Sequence, residues 1–234
     1  MLTDEQIRAN LAAVRARIQA AAGGGTDSRH VDLLLATKTM PADRIAVAID
    51  AGARVIGENR VQELAEKDAV LSTLPCERHF IGHLQTNKVN QVLRYVTCVQ
   101  SVDRVELADR LQRRLETLDR TLDVLLQINV SGEPSKFGVP PDQALALARD
   151  VAKRDRLRVR GLMTIGRMSS DPDAVRPGYQ RLRATRDKIE SAAVDGVRMD
   201  TLSMGMSADL DIAIAEGATM VRVGSAVFGS RPRP

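Results

Sequence analysis

The chain has 234 residues, of which 44% are hydrophobic and 2% aromatic, with no Trp and a formal net charge of +4. That is enough apolar material for a sizeable aliphatic core, and too few aromatics for a face that stacks single-stranded bases. Basic residues cluster around 110–114, 153–160 and 181–188, each run interleaved with acidic or apolar residues at helical or strand spacing. Such runs are solvated faces rather than a nucleic-acid footprint. Cys76 and Cys98 make no metal or redox spacing, which implies a reducing compartment. The start, Met1-Leu2-Thr3-Asp4-Glu5, is acidic and is no secretory signal, and no run is apolar enough to span a membrane. These features predict a cytoplasmic protein, taken as a monomer, with no nucleic-acid or membrane partner.

Residues 3–21 predict a helix, with Thr3 and Gln6 spaced as a capping box and Ile7, Leu11, Val14 and Ile18 as its apolar stripe. Gly23-Gly24-Gly25 ends it. Strand and helix patterns then alternate. Strands are predicted over 31–37, 54–57, 78–81, 96–100, 122–130, 159–165, 201–204 and 220–223. Helices are predicted between them over 42–51, 61–72, 87–94, 105–118, 142–153, 174–193 and 208–216. The strands are short, apolar and β-branched, as parallel strands covered on both sides are. Eight strands and seven helices at this length predict one α/β domain over 1–234, a single (β/α)8 TIM-type barrel with an extra N-terminal helix and no C-terminal domain. The helix after the eighth strand is missing from the pattern, and the N-terminal helix is its natural substitute between strands eight and one. A doubly wound open sheet is the alternative, but no G-x-G-x-x-G follows the first strand.

In such a barrel chemistry gathers at the strand C-termini. Lys38 ends the first strand, unlike the other five lysines: Lys67, Lys153 and Lys188 fall in charged helical stretches, Lys88 is near a helix start and Lys136 is in a Gly/Pro-bounded loop. Apolar surroundings disfavour the charged form of a strand-end amine and free it as a nucleophile toward an aldehyde, whereas a lysine that snorkels to water does neither. Ser203-Met204-Gly205-Met206-Ser207 precedes a helix, with Ser207 placed as its cap, and Val223-Gly224-Ser225-Ala226 follows the last strand. Each reads as turn chemistry alone; together, in adjacent loops beside Lys38, they read as a phosphate cradle. A lysine beside a phosphate cradle fits a phosphorylated aldehyde, pyridoxal phosphate (PLP) or a sugar phosphate. Arg222 lies two residues before Gly224 on the same side of its strand, either facing a pyridine nitrogen or forming an ion pair inside the barrel. His83 is a lone histidine of structural type, and no His/Cys/Asp spacing suggests a metal.

A whole series of segments resembles one family. They are Leu35-Ala36-Thr37-Lys38, Ile56-Gly57-Glu58-Asn59-Arg60-Val61-Gln62-Glu63, Phe80-Ile81-Gly82-His83-Leu84-Gln85-Thr86-Asn87-Lys88 and Gln127-Ile128-Asn129-Val130-Ser131-Gly132-Glu133 with Lys136-Phe137-Gly138. Gly161-Leu162-Met163-Thr164, Leu202-Ser203-Met204-Gly205-Met206-Ser207 and Val221-Arg222-Val223-Gly224-Ser225 with Phe228-Gly229 continue the series in order. They resemble the YggS/PROSC family of pyridoxal phosphate homeostasis proteins over nearly the whole chain; the segment 166–170 does not match its pattern. The resemblance implies a barrel like the N-terminal domain of alanine racemase, with PLP held as an aldimine on Lys38. It places the phosphate around Ser207, Gly224 and Ser225, Arg222 near the pyridine nitrogen, and Asn59, His83 and Met204 along the ring pocket. Lys136 is the first suspect for a second PLP site.

A two-base racemase needs a proton acceptor on each face of its substrate, a tyrosine in alanine racemase-like enzymes. Tyr95 and Tyr179 both fall in helical patterns, away from the strand C-termini. An arginine at the ring nitrogen weakens the cofactor's electron sink. The favoured function is therefore a PLP carrier or regulator without catalytic turnover, with apo PLP-dependent enzymes as recipients. An amino-acid racemase is the runner-up, followed by a Schiff-base aldolase and, distantly, a nucleic-acid module.

Overall fold

The computed structural model describes residues 2–24, 29–133, 136–167, 169 and 171–229. Met1, Gly25, Met168 and Ser170, each part of a segment quoted above, and residues 230–234 lie outside them.

Helix α1 (Asp4–Ala21) carries the expected capping box: Gln6 N–H donates to Thr3 Oγ1 at 3.2 Å and Thr3 N–H to Gln6 Oε1 at 2.8 Å. The strands are β1 (Asp32–Ala36), β2 (Val55–Glu58), β3 (Glu77–Phe80), β4 (Cys98–Val102), β5 (Leu122–Gln127), β6 (Leu157–Met163), β7 (Val197–Ser203) and β8 (Met220–Val223). The helices between them are α2 (Ala42–Asp50), α3 (Val61–Leu71), α4 (Val89–Val92), α5 (Val105–Leu118), α6 (Ala144–Ala152), α7 (Pro172–Ser191) and α8 (Leu210–Ala215). All eight strands are parallel in chain order, and β1 pairs with β8, Leu34 opposite Arg222, to close the barrel. The helices lay aliphatic faces on its outside: Leu107, Ala108, Leu111 and Leu115 of α5, spaced three and four apart, are all fully buried.

Four differences from the sequence pattern have physical causes. Val96 is apolar because it packs in the core, while β4 starts at Cys98 and continues to Val102. β6 starts at Leu157, because Arg158 and Arg160, which interrupt its apolar run, are both held by Asp123 of β5 at 2.6 and 3.1 Å. The helix expected over 87–94 is a 3-10 turn, Thr86–Lys88, followed by the short α4. The eighth strand does have a helix, the four-residue α9 (Ser225–Phe228), and α1 packs against α2, α8 and α9 to complete the wall. Gly161 sits where β6 presses on β7: its φ is +154°, and a Cβ there would lie 1.9 Å from the Thr201 carbonyl.

The barrel interior is filled by Leu34, Ile81 and Met220 on one side and Cys98, Leu125 and Met163 on another. Between them runs a buried polar chain. Gln100 Nε2 donates to His79 Nδ1 at 2.9 Å, Ser203 Oγ donates to Gln100 Oε1 at 2.7 Å, and Arg222 Nη1 donates to Ser203 Oγ at 2.8 Å. Buried polar groups must be paired, and this chain pairs them across four strands. Among the described residues, no helix is long and apolar enough to cross a membrane.

Candidate functional site

A cavity of about 420 Å³ opens at the C-terminal ends of the strands. This falls within the ~300–1,000 Å³ typical of small-molecule sites. Lys38 enters it from the end of β1, Asn59 from β2, Ser207 from the loop after β7, and Arg222, Gly224 and Ser225 from β8 and the turn that follows. Six of the eight residues picked from the sequence therefore share one chamber. Ala36, Ile81, Ile165 and Phe228 add apolar wall, Met206 and Gly229 come from segments quoted above, and Thr39, Met40 and Ala208, which the sequence did not single out, complete the lining. His83 and Met204 do not line it. Met204 is fully buried beneath the loop. His83 stacks on Phe137, ring centroids 3.7 Å apart, with Nδ1 3.8 Å from Asp103 Oδ2. Burial lowers its pKa, with Asp103 opposing and Arg104 reinforcing the shift.

Lys38 stands between two anchored threonines. Thr37 Oγ1 donates to Glu58 Oε1 at 2.6 Å, and the Thr39 N–H donates to Glu63 Oε2 at 2.6 Å. Both carboxylates share Lys67, whose Nζ donates to Glu58 Oε1 at 2.5 Å, to Glu63 Oε2 at 2.8 Å and to the Thr37 carbonyl at 2.9 Å. Lys67 is thus no surface lysine; it is buried and ties α3 to the strand end that presents Lys38. Burial pushes the Glu58 carboxyl above its usual range despite Lys67 and Thr37. Burial works in the same direction on Glu63, but hydrogen bonds from Lys67 and the Thr39 N–H outweigh it and hold Glu63 low. Thr39 has φ +65°, a left-handed conformation that this cluster holds in place. A larger hollow of about 820 Å³ lies beyond Thr39 and Met40, against α3. Lys38 and the loops after β7 and β8 do not line it.

Arg222 makes no internal ion pair among the described residues. Its Nη1 donates to the Ser203 carbonyl at 2.7 Å and its Nη2 to the Thr164 carbonyl at 2.6 Å, with Ser203 Oγ as the third acceptor. Burial pushes its pKa down to about 10, and Tyr179 and Asp209 oppose this, so the guanidinium stays charged at neutral pH. A cation held by neutral acceptors at a cavity wall leaves its charge available to a ligand.

Ser207 is not the cap of α8, which starts three residues later behind Asp209. Its Oγ instead accepts the Ala226 N–H at 3.4 Å, joining the loop after β7 to the turn after β8. Asp209 is the N-cap residue of α8, but its side chain makes no cap hydrogen bond and instead braces the loop: Oδ1 accepts the Met206 N–H at 2.6 Å and Oδ2 accepts Tyr179 Oη at 2.7 Å. Tyr179 is therefore not remote from the strand ends. It is fully buried on α7 and reaches under the loop after β7, its pKa raised by burial and by Asp209. Gly224 passes so close to β1 that a Cβ would lie 2.8 Å from the Ala36 carbonyl. Lys136 lies outside the cavity and ties two loops together, its Nζ donating to Glu133 Oε1 at 2.9 Å and to the Gly166 carbonyl at 3.2 Å.

The donor set suits one class of ligand: an amine, two hydroxyls on adjacent loops and a guanidinium around an apolar-walled chamber. Asn59 Oδ1 is buried and, among the described residues, unpaired, so a polar group on a ligand would satisfy it.

Residues 5–232 match the family model of the alanine racemase N-terminal domain. A pyridoxal phosphate homeostasis protein of Pseudomonas aeruginosa is 44% identical over 226 residues, 96% of each chain. The chain belongs to the pyridoxal phosphate homeostasis protein family. Another member, from Aquifex aeolicus, is 41% identical over 94% of this chain and 96% of its own. The structure of PipY from Synechococcus elongatus PCC7942 with PLP bound superposes with a TM-score of 0.84 at 32% identity, covering 95% of this chain and all of that one. The match to the family model, residues 5–232, spans all eight strands and the loops after β7 and β8.

Proposed function

We propose that this chain binds pyridoxal 5'-phosphate in the strand-end cavity, as one domain, and acts in the cytoplasm as a monomeric carrier or regulator of the cofactor without turnover. The observation that carries the proposal is the convergence of Lys38, Asn59, Ser207, Arg222, Gly224 and Ser225 on one chamber. The names of the family members and the PLP-bound PipY support it.

Bound PLP supplies an aldehyde that condenses with an amine, with loss of water. Lys38 Nζ is the attachment point, and the Thr37–Glu58–Lys67–Glu63–Thr39 cluster, buried at Thr37, Glu58 and Lys67, fixes the strand end from which it projects. Ser207, Gly224 and Ser225 hold the phosphate, the two serines by hydroxyl donation and Gly224 by allowing the backbone to come close. Arg222 can only donate, so it would donate to an unprotonated ring nitrogen, which accepts, and it disfavours protonation there. His83 and Met204 act at one remove, shaping the wall and the floor. Apo forms of PLP-dependent enzymes are the recipients.

The test is direct. Incubation with PLP is expected to turn the protein yellow, and borohydride followed by peptide mapping is expected to mark Lys38. Labelling that persists unchanged in Lys38→Ala would place the main site elsewhere, with Lys136 tested next. The carrier reading expects faster recovery of an apo-enzyme than free cofactor gives. Deuterium uptake at the α-carbon of amino acids with enzymatic turnover, abolished in Lys38→Ala, would replace it with a racemase.

A further inference from the structure

Helix α1 is additional to the eight barrel repeats, yet it reaches both loops of the phosphate cradle. Arg17 Nη1 donates to the Ser207 carbonyl at 2.9 Å. The rest of its fork grips Asp211 of α8, Nε lying 2.9 Å from Oδ1 and Nη2 donating to Oδ2. Asn10 Nδ2 donates to the Val227 carbonyl in α9 at 3.1 Å. Asn10 and Arg17 are seven residues apart, which puts them on one face of α1 about 10 Å apart along its axis. That face is held in place by the buried Ile7, Leu11, Val14 and Ile18. By contrast, among the described residues the direct link between the two loops is one long hydrogen bond, Ala226 N–H to Ser207 Oγ at 3.4 Å, beside the Arg222 N–H of β8, which donates to the Gly205 carbonyl at 3.0 Å.

We propose that α1 is a positioning element of the anion site, with Arg17 and Asn10 as positioning residues that set the spacing between Ser207 and the turn carrying Gly224 and Ser225, and so the affinity for the phosphate group. The inference rests on the reading of the cavity as a PLP site. Its physical basis is that charge-assisted hydrogen bonds are steep in distance and angle, so two donor loops serve one anion only at a fixed separation. A rigid helix bonded to a carbonyl of each loop fixes that separation. Neither side chain lines the cavity, so neither is needed by a ligand without a phosphate.

The experiment compares PLP with unphosphorylated pyridoxal by absorbance titration of the full chain. The double variant Arg17→Met with Asn10→Ala is expected to bind PLP about tenfold more weakly, a change of about 1.4 kcal/mol. Its affinity for pyridoxal is expected to stay within about twofold of the original. Arg15→Met is the control: Arg15 is on the same helix but donates to the Ala51 carbonyl, away from the cradle, and both affinities are expected to hold. If the double variant unfolds, Arg17→Lys carries the test. One ammonium cannot reproduce the fork, so a loss of about threefold, confined to PLP, is expected. Unchanged PLP affinity, or equal losses for both ligands, would overturn the role of α1 and leave the proposed function standing. Failure of the unaltered protein to bind PLP would instead overturn the proposed function itself.

Discussion

Lys67→Met tests the cluster that frames Lys38. The substitution keeps most of the side-chain volume and removes one ammonium, together with its bonds to Glu58, Glu63 and the Thr37 carbonyl. Glu58 is 1% exposed, and its Oε2 already has no partner among the described residues. Breaking a buried ion pair from one side costs roughly 3–5 kcal/mol, because the remaining charge stays buried. For a chain of this size each kcal/mol moves Tm by about 2–4 °C, so a fall of roughly 10 °C is expected by calorimetry. The pH dependence gives a second readout. The folded-state pKa of Glu58 is raised above its ordinary value of 4.5 by burial, so the folded state binds the extra proton and stability falls as pH rises through the window from that value to the folded one. Without Lys67 the raising effect of burial is less opposed and the window extends upward. The deficit of Lys67→Met is therefore expected to be smaller near about pH 5 than near about pH 8. Adding Glu58→Leu removes the stranded carboxylate and is expected to recover a substantial part of the loss. A fall in Tm of less than about 3 °C, or a deficit that does not shrink in acid, would refute the reasoning.

Gly161→Ala puts a Cβ 1.9 Å from the Thr201 carbonyl at a φ of +154°, so the β6–β7 contact is expected to fail and the soluble yield to collapse, as measured by expression and circular dichroism. Gly224→Ala is milder: the Cβ meets the Ala36 carbonyl at 2.8 Å, which shifts the turn after β8, and weaker PLP binding is expected with the far-ultraviolet dichroism retained. Tyr179→Phe removes only the hydroxyl that donates to Asp209 at 2.7 Å, with an expected cost of about 1.5–3 kcal/mol by chemical denaturation. Cys98 is buried and its thiol pKa is pushed far up by burial, so a thiol reagent is expected to modify Cys76 in the native protein and Cys98 only after unfolding.

The alternation of apolar runs with amphipathic stretches determined the barrel, because parallel strands covered on both sides and helices covered on one leave different periods in a sequence. The boundaries of α5 coincide with its pattern, since Leu107, Leu111 and Leu115 can be buried on only one face. Lys38, Ser207, Arg222, Gly224 and Ser225 were legible for a related reason: strand C-termini in this topology converge, so polar residues at those positions meet in space. Lys67 and Tyr179 were not legible. In sequence each is a polar residue on a helix, and only the packing of α3 against β2 and of α7 beneath the loop after β7 turns them inward. Ser207 fits a helix cap until the loop's path shows Asp209 holding Met206 and Ser207 facing Ala226. The partners of Arg222 are mainly carbonyls, which carry no residue-type signal, so spacing alone left both ion pair and ligand contact open. The sequence determined that polar side chains at the strand ends gather at the mouth of the barrel, because that follows from strand order and alternation. Tertiary structure decided what holds them there, because hydrogen bonds between distant backbone groups leave no pattern along the chain.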